Sequence, residues 1–163
     1  MTGDEIVLRL PSDVEIVVMY QFRAPPALVF EAWTTPEHLR RWLGRDGWSL
    51  PVCEIDLRPG GSWRYVHVGP DGAELAMSGE YLEVDPPRRL VSTERFDEPY
   101  FDVMGRGTVN TLTFDEGPTG ITTLTMRVEY QSKEARDAAL QTGMEEGMAE
   151  GFRRLDTLLD DLA

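Results

Sequence analysis

The chain has 163 residues, of which 41% are hydrophobic and 28% are charged, a composition typical of a soluble globular domain with a substantial core. Its formal net charge of −13 argues against nucleic acid or an anionic membrane as a partner. No apolar run approaches the roughly 20 residues of a membrane span, and the acidic N-terminus carries no secretory signal. The single cysteine, Cys53, cannot form an internal disulfide. We therefore expect a cytoplasmic protein without membrane insertion.

The first third of the chain predicts one strand followed by two short helices. Residues 1–13 are expected to form a loose lead-in, after which apolar residues alternate as in a half-buried strand: Val14, Ile16, Val18, Tyr20 and Phe22. Proline is tolerated in the first turn of a helix, so Pro25 and Pro36 predict helices that end near Trp33 and Leu43. Gly44 is a suitable residue to end the second helix.

The middle of the chain predicts six strands, at residues 52–57, 62–68, 74–84, 89–96, 108–114 and 121–130. Turns rich in glycine and proline separate them, and short turns between successive strands imply antiparallel hairpins. The connection at residues 97–107 is longer and carries Tyr100, Phe101 and Met104. These apolar residues suggest either a flap over a bound molecule or a loop that docks back onto the core.

Residues 132–162 predict one long C-terminal helix, with Ser132 as its N-cap. At 100° per residue, its apolar side chains form one stripe: Met144, Met148, Phe152, Leu155, Leu159 and Leu162. Gly143, Gly147 and Gly151 recur at four-residue spacing, although each glycine costs about 1 kcal/mol relative to alanine inside a helix. They indicate close packing of the helix on a sheet or, alternatively, space for a bound molecule beside the adaptable methionines of the stripe.

The order of these elements favours an α+β fold that spans residues 14–163 as one domain. An antiparallel sheet that curves strongly around the terminal helix would bury the apolar stripe, and the two short helices would close one end of the channel. Curved sheets that grip a helix leave an internal cavity, and such cavities bind small apolar ligands.

Several separated motifs resemble one known family, in the order that the family has them. They are residues 23–39 (RAPPALVFEAWTTPEHL), Trp42, residues 53–65 (CEIDLRPGGSWRY), 70–72 (PDG), 79–84 (GEYLEV), 87–91 (PRRLV) and the segment that starts at residue 143 with GMEEG. The pattern is similar to the Hsp90 ATPase activator homologue-like family of the START-like (SRPBCC, birch-pollen-allergen-like) superfamily, over about residues 14–162. The resemblance implies the helix-grip fold of that superfamily, which includes lipid carriers, cyclases, hydrolases and co-chaperone domains.

Two positions depart from the pattern of that family. Met148 stands where relatives often have tryptophan, which implies a softer and larger pocket wall. His67 stands where relatives usually have an apolar residue, and it alternates with Trp63 and Tyr65, so these three side chains are expected to share one strand face. True Hsp90 activators owe much of their chaperone contact to a separate N-terminal domain, which has no counterpart among these residues. The family name is therefore a poor guide to the partner.

The chain contains no recognisable catalytic set. His38 and His67 lack metal-ligand spacing and no nucleotide-binding loop is present, so we expect no metal and no cofactor. His67 is a candidate general base or ligand-orienting group, with a hydrogen-bonded core histidine or an outward-facing residue as the alternative. Cys53 is expected to be a buried, inert thiol.

Charged residues near the turns have mainly structural interpretations. Asp56 and Arg58 predict an ion pair beside the turn at residues 59–61. Glu80, Glu83 and Asp85 predict a solvated outer sheet face, or else a single buried general acid among them.

The sequence is compatible with three functions. A carrier or sensor of a small hydrophobic molecule, lipid-like or aromatic, agrees best with the glycines, methionines and aromatic strand. The alternatives are a hydrolase- or cyclase-type enzyme that uses His67 or a buried carboxylate, and a chaperone-linked interaction module. Antiparallel edge strands would also allow a homodimer. The predicted ligand-binding residues, of which Trp42 and Phe101 would lie near the mouth, are Trp42, Trp63, Tyr65, His67, Phe101, Met144, Met148 and Phe152.

Overall fold

The computed structural model describes residues 5–97 and 107–163, and in these ranges the chain forms eight strands and four helices. The strands are β1 (Val7–Arg9), β2 (Glu15–Phe22), β3 (Ser49–Ile55), β4 (Ser62–Val68), β5 (Glu74–Asp85), β6 (Arg89–Phe96), β7 (Thr108–Glu116) and β8 (Thr122–Glu129). The helices are α1 (Pro26–Thr34), α2 (Pro36–Trp42), α3 (Lys133–Leu140) and α4 (Met144–Leu162).

All eight strands belong to one antiparallel sheet with the order β1-β2-β8-β7-β6-β5-β4-β3. The sheet curves around α4, which confirms the predicted α+β helix-grip fold. Residues 1–13 were expected to form a lead-in without regular structure, but they contain β1, whose Leu8 lies opposite Val18 of β2. The sequence did not predict β1 because a strand of three residues has no alternating pattern of its own and forms only by pairing with its neighbour.

Helix α2 begins at Pro36 as predicted, and α1 begins at Pro26, one residue after the predicted Pro25, which is its N-cap. Helix α1 packs on β7 and α2 on β3. The Phe30 ring of α1 packs edge-on against Phe114 of β7, with ring centroids 5.4 Å apart. The two helices are joined by a buried hydrogen bond, in which the Trp42 indole N–H donates to the Ala32 carbonyl over 3.0 Å.

The C-terminal segment is two helices rather than the one long helix that the sequence predicted. Ser132 caps α3 as expected, since its hydroxyl accepts a hydrogen bond from the Ala135 N–H over 3.1 Å. The chain then breaks at residues 141–143, where Gly143 has φ of +78°, a left-handed conformation that strongly favours glycine. The Thr142 carbonyl, freed by this break, accepts a hydrogen bond from the Arg45 guanidinium over 2.6 Å.

The core lies between the sheet and the C-terminal half of α4. Leu155, Leu158 and Leu159 are fully buried there. Next to them is a cluster of aromatic rings with neighbouring centroids 4.5 to 6.4 Å apart, formed by Tyr20, Phe22, Trp33, Trp42, Phe114 and Phe152. Within the described ranges, none of the helices combines the length and the apolar character that crossing a bilayer would require.

Candidate functional site

A cavity of about 590 Å³ separates the concave sheet face from the N-terminal half of α4. Every second residue of the central strands points into it, as the two-residue period of a strand requires. On β6 these are Leu90, Ser92, Glu94 and Phe96, and on β8 they are Met126 and Val128, followed by Tyr130 just after the strand. Helix α4 forms the facing wall.

Strand β4 carries the aromatic row that the sequence singled out. Trp63, Tyr65 and His67 all line the cavity, and the Trp63 and Tyr65 ring centroids lie 4.6 Å apart. The Trp63 indole crosses over Gly79 of β5 to donate a hydrogen bond to the Thr93 carbonyl over 3.2 Å. Gly79 makes this possible, because a Cβ at that position would lie 2.6 Å from the indole nitrogen and 1.8 Å from the Thr93 oxygen.

His67 is a buried cavity residue, with only 6% of its surface exposed. Burial lowers the pKa of its imidazole, so the ring is neutral near pH 7. Gly44 packs against it: a Cβ on Gly44 would lie 3.1 Å from His67 Nδ1, and the φ of +104° at Gly44 is one that side chains rarely adopt. The His67 imidazole could therefore contact a ligand in its neutral form, with one ring nitrogen as hydrogen-bond donor and the other as acceptor.

Glu94 is the residue that sequence reasoning missed. Its carboxylate accepts one hydrogen bond, from the Asn110 side-chain amide over 3.3 Å, and the Thr108 hydroxyl donates to the Asn110 carbonyl over 3.0 Å. Burial raises the pKa of Glu94 to about 7, although the Asn110 bond acts in the opposite direction. The sequence signal that could have indicated a cavity-facing Glu94 is its position two residues before Phe96 in a strand, which places both on the same face. The acidic residues considered instead, Glu80, Glu83 and Asp85, are all exposed.

The loop between α2 and β3 borders the cavity and is held to α4 by polar contacts. The Arg154 guanidinium donates to the Trp42 carbonyl over 3.2 Å, and also contacts the Gly44 carbonyl and the Asp46 carboxylate. In return, the Asp46 N–H donates to the Glu150 carboxylate over 2.8 Å. We call this loop, residues 43–48, the mouth loop.

The helix glycines accommodate the mouth loop and the residue before it. A Cβ on Gly147 would lie 3.3 Å from Arg45 Nε, and a Cβ on Gly151 would lie 3.3 Å from the Trp42 carbonyl oxygen. Both glycines also line the cavity. Close packing therefore explains Gly147 and Gly151, as one of the two interpretations predicted. The segment that packs against them is Trp42 and the mouth loop, however, and not the sheet.

Seven of the eight predicted site residues line this one cavity, and the eighth, Phe101, lies outside the described residues, as do Tyr100 and Met104. Trp42 was expected near the mouth. It is instead a fully buried core residue with part of its surface on the cavity, while Trp48 of the mouth loop also lines the wall.

The remaining candidates have structural roles. Cys53 is buried and unbridged, and burial raises the pKa of its thiol. The predicted ion pair between Arg58 and Asp56 is present over 2.9 Å, but both side chains are more than half exposed, so it contributes little stability. Among the described residues, no group of three or more His, Cys, Asp or Glu side chains is arranged to hold a metal ion.

The cavity thus combines apolar walls with a few polar groups, which is the usual chemistry of a small-molecule site. Among the described lining residues, the groups that carry or can gain charge in the neutral range are Glu94, His67 and Arg45. Arg45 is engaged by the Thr142 carbonyl. That contact uses one of its five N–H donors, and Arg45 is an exposed residue of the mouth loop. Away from the mouth loop, Glu94 and His67 are the two such groups that line the cavity.

Comparison with known proteins places this architecture in a family. A protein from Rhodobacter sphaeroides of known crystal structure is 34% identical, with 97% of this chain and 99% of that chain covered and a TM-score of 0.89. The crystal structure of a Mycobacterium smegmatis protein matches at 28% identity, over 95% of this chain and 97% of that one, with a TM-score of 0.82. A comparison with curated proteins found no match. The family model described as "Activator of Hsp90 ATPase homolog 1-like protein" matches residues 23–160, and the chain belongs to that family.

Proposed function

We propose that this protein binds a small hydrophobic molecule, lipid-like or aromatic, between the sheet and helix α4, as a cytoplasmic carrier or sensor. The observation that carries the proposal is the cavity itself. Its volume of about 590 Å³ lies within the range of roughly 300–1,000 Å³ that is usual for ligand pockets. Its lining is mainly apolar and aromatic, which suits a ligand that gains affinity by leaving water.

The chemistry of the walls supports a ligand of variable shape. Met144 and Met148 on α4 and Met77 and Met126 on the sheet all line the cavity. Methionine is flexible and polarizable, so it repacks around different molecules more easily than leucine or tryptophan. Tyr65 and Trp63 add flat surfaces on which an aromatic ligand would stack.

The test is native mass spectrometry of freshly purified protein, followed by solvent extraction and identification of what is released. A stoichiometric apolar compound is the expected result. The Met148→Trp variant fills the space beside Gly147 and Gly151 and should lose that compound. Thr157→Trp is the matched control, because residue 157 is exposed on the same helix and should leave binding unchanged. If a broad panel of lipids and aromatic compounds also leaves the thermal stability unmoved, the carrier function is wrong.

A second candidate function is an enzyme that acts on such a molecule. Glu94, with a pKa near 7, and the neutral His67 imidazole are placed in the same cavity, and groups of this kind serve as general acids and bases. The test is incubation of the extracted compound with protein and chromatographic search for a product. Formation of product that stops in Glu94→Gln or His67→Gln would favour the enzyme over the carrier.

A third candidate, chaperone contact, follows from the description of the family alone. An exposed apolar patch would support it, but among the described residues the exposed large hydrophobic side chains are Leu10, Leu57 and Leu82, on three separate segments. We therefore place it below ligand binding. Stimulation of the ATPase of purified Hsp90 would favour this alternative, and size-exclusion chromatography with light scattering would test for a homodimer.

A further inference from the structure

The cavity contains a carboxylate whose hydrogen-bonding capacity is largely unused. A carboxylate offers about four acceptor positions, yet among the described residues Glu94 receives a single hydrogen bond, from Asn110 over 3.3 Å. No ion pair within the described ranges involves Glu94. Glu94 is half-buried, and a carboxylate that is partly removed from water without a cationic partner is less favourable in its charged form than one in water. This arrangement is suited to a partner that arrives from outside the protein.

The Glu94 carboxylate is also held in a defined position. The buried Thr108 hydroxyl donates to the carbonyl of the Asn110 side chain, which directs the Asn110 amide N–H towards Glu94. All three residues lie on the central strands β6 and β7, which are paired so that Glu94 is opposite Thr108. A site on rigid strands, with its polar groups oriented in advance, lowers the entropy that a ligand loses on binding.

The charges around the cavity favour a cation over an anion. His67 is neutral near pH 7 because it is buried. The positive charge of Arg45 lies on an exposed residue of the mouth loop, whereas Glu94 lies on the central strand β6. Burial raises the pKa of the Tyr65 and Tyr130 phenols, and the nearby charge of Glu94 raises both further. Aromatic faces stabilise an ammonium group, so they would complement the carboxylate in holding one.

We propose that Glu94 and Asn110 form the polar end of the ligand site, and that the ligand is an amphipathic amine with a protonated nitrogen on an aromatic or aliphatic body. The ammonium group donates hydrogen bonds to the Glu94 carboxylate, while the apolar body lies along Met144, Met148 and Trp63. This inference rests on the proposed function, since it names the chemical class of the molecule that the same cavity takes.

The test compares three probes that share one apolar body and differ in their polar group: naphthylmethylamine, naphthylmethanol and naphthoic acid. Dissociation constants are measured at pH 8 by calorimetry or by quenching of tryptophan fluorescence. A hydrogen bond between two charged groups is stronger than one from a neutral hydroxyl, so the amine should bind at least about tenfold more tightly than the alcohol. The carboxylic acid should bind most weakly of the three.

The Glu94→Gln variant tests the assignment of the carboxylate. It keeps the size of the side chain and an acceptor for Asn110, so the alcohol should bind as before while the preference for the amine disappears. Glu80→Gln is the matched control, because this glutamate is exposed on β5, and it should leave all three affinities unchanged.

Two outcomes would contradict the inference in different ways. If the three probes bind equally well, or if Glu94→Gln keeps the preference for the amine, then the cavity binds apolar bodies and the amine assignment is wrong. If none of the probes binds and none raises the thermal stability, the amine assignment is wrong, while the proposed binding function fails only if the broad panel of lipids and aromatic compounds is also without effect.

Discussion

The two halves of helix α4 face the same sheet but meet it differently. In the C-terminal half, Leu155, Leu158 and Leu159 are fully buried against the core. In the N-terminal half, Met144, Gly147 and Met148 are only half-buried, and they form a wall of the cavity. The change occurs at Phe152, which belongs both to the aromatic cluster and to the cavity lining.

The difference shows how one amphipathic helix can serve both stability and binding. Leucine side chains fill the space between the sheet and the C-terminal half of α4. The Tyr20 hydroxyl adds a polar contact there, because it donates a hydrogen bond to the Asp156 carboxylate over 2.6 Å. Along the N-terminal half of α4, the methionines leave room for the cavity, and the glycines allow the mouth loop to pack closely against the helix. The predictions below test whether the packed half carries the stability and the open half carries the binding.

The largest expected effect is on the packed half. Leu155→Ala should lower the free energy of unfolding by about 3 kcal/mol, because it removes a fully buried side chain and leaves a void. Met148→Ala removes a side chain of similar size from the cavity wall and should cost less than about 1 kcal/mol, since little packing is lost there. Urea unfolding at pH 7 measures both. Equal losses would show that the two halves are packed alike.

The next effect concerns Glu94 and depends on pH. Its pKa in the folded protein is about 7, above the ordinary value of 4.5, so between these values the folded state holds a proton that the unfolded state has released. The free energy of unfolding therefore falls as the pH rises through this range, and it stays lower above it. Glu94→Gln cannot ionise and should exceed the wild type by on the order of 2 kcal/mol at pH 8.

The same variant should show almost no difference from the wild type at pH 4, where Glu94 is protonated in both states. Chemical unfolding at the two pH values measures the effect, with Glu80→Gln as the control for loss of an exposed charge. A gain of equal size at both pH values would show that the effect does not come from ionisation of Glu94.

Most of the sheet was predictable because each strand depends on a local signal. Alternating side chains and turns rich in glycine and proline gave all strands from β2 to β8 within three residues of their ends. The break between α3 and α4 was not predicted, because the apolar stripe continues across it and the left-handed backbone of Gly143 leaves no mark on that stripe. The contact that satisfies the freed Thr142 carbonyl comes from Arg45, far away in the sequence.

The candidate site shows where strand alternation stops being informative. On β4, bulky aromatic residues mark the cavity face, and the prediction for Trp63, Tyr65 and His67 followed from that. On β6, Leu90 and Phe96 share a face with Ser92 and Glu94, and the other face also mixes apolar and polar residues. Alternation fixes which residues share a face, but it does not say which face is concave, so Glu94 was missed.

A smaller effect is expected where the mouth loop meets α4. Arg154→Met keeps the apolar stem but removes the donors to the Trp42 and Gly44 carbonyls, which should lower the free energy of unfolding by about 1–2 kcal/mol. Arg41→Met breaks only an exposed pair with Asp161 and should cost less than about 0.5 kcal/mol. Urea unfolding compares the two variants. Equal losses would mean that the loop is held by other contacts.

The smallest effects distinguish the two helix glycines. Alanine at either position gains up to about 1 kcal/mol in helix propensity, so the sign depends on what the new methyl group meets. At Gly147 it meets the Arg45 side chain at 3.3 Å, which can move aside, and Gly147→Ala should stabilise the protein by about 0.5 kcal/mol. At Gly151 it meets the Trp42 carbonyl oxygen at the same distance. That carbonyl is fixed by Arg154, so Gly151→Ala should destabilise the protein by a similar amount.

Thermal unfolding of the two variants measures this difference, and ligand affinity gives a second readout. Both methyl groups enter the cavity lining, so both should weaken binding of a large ligand while only one lowers stability. If both alanine variants are stabilised, the Trp42 carbonyl is free to shift and the mouth loop is not fixed at that point. If both are destabilised, then the Arg45 stem is held as firmly as the backbone, and the open half of α4 is more rigid than its methionines and glycines indicate.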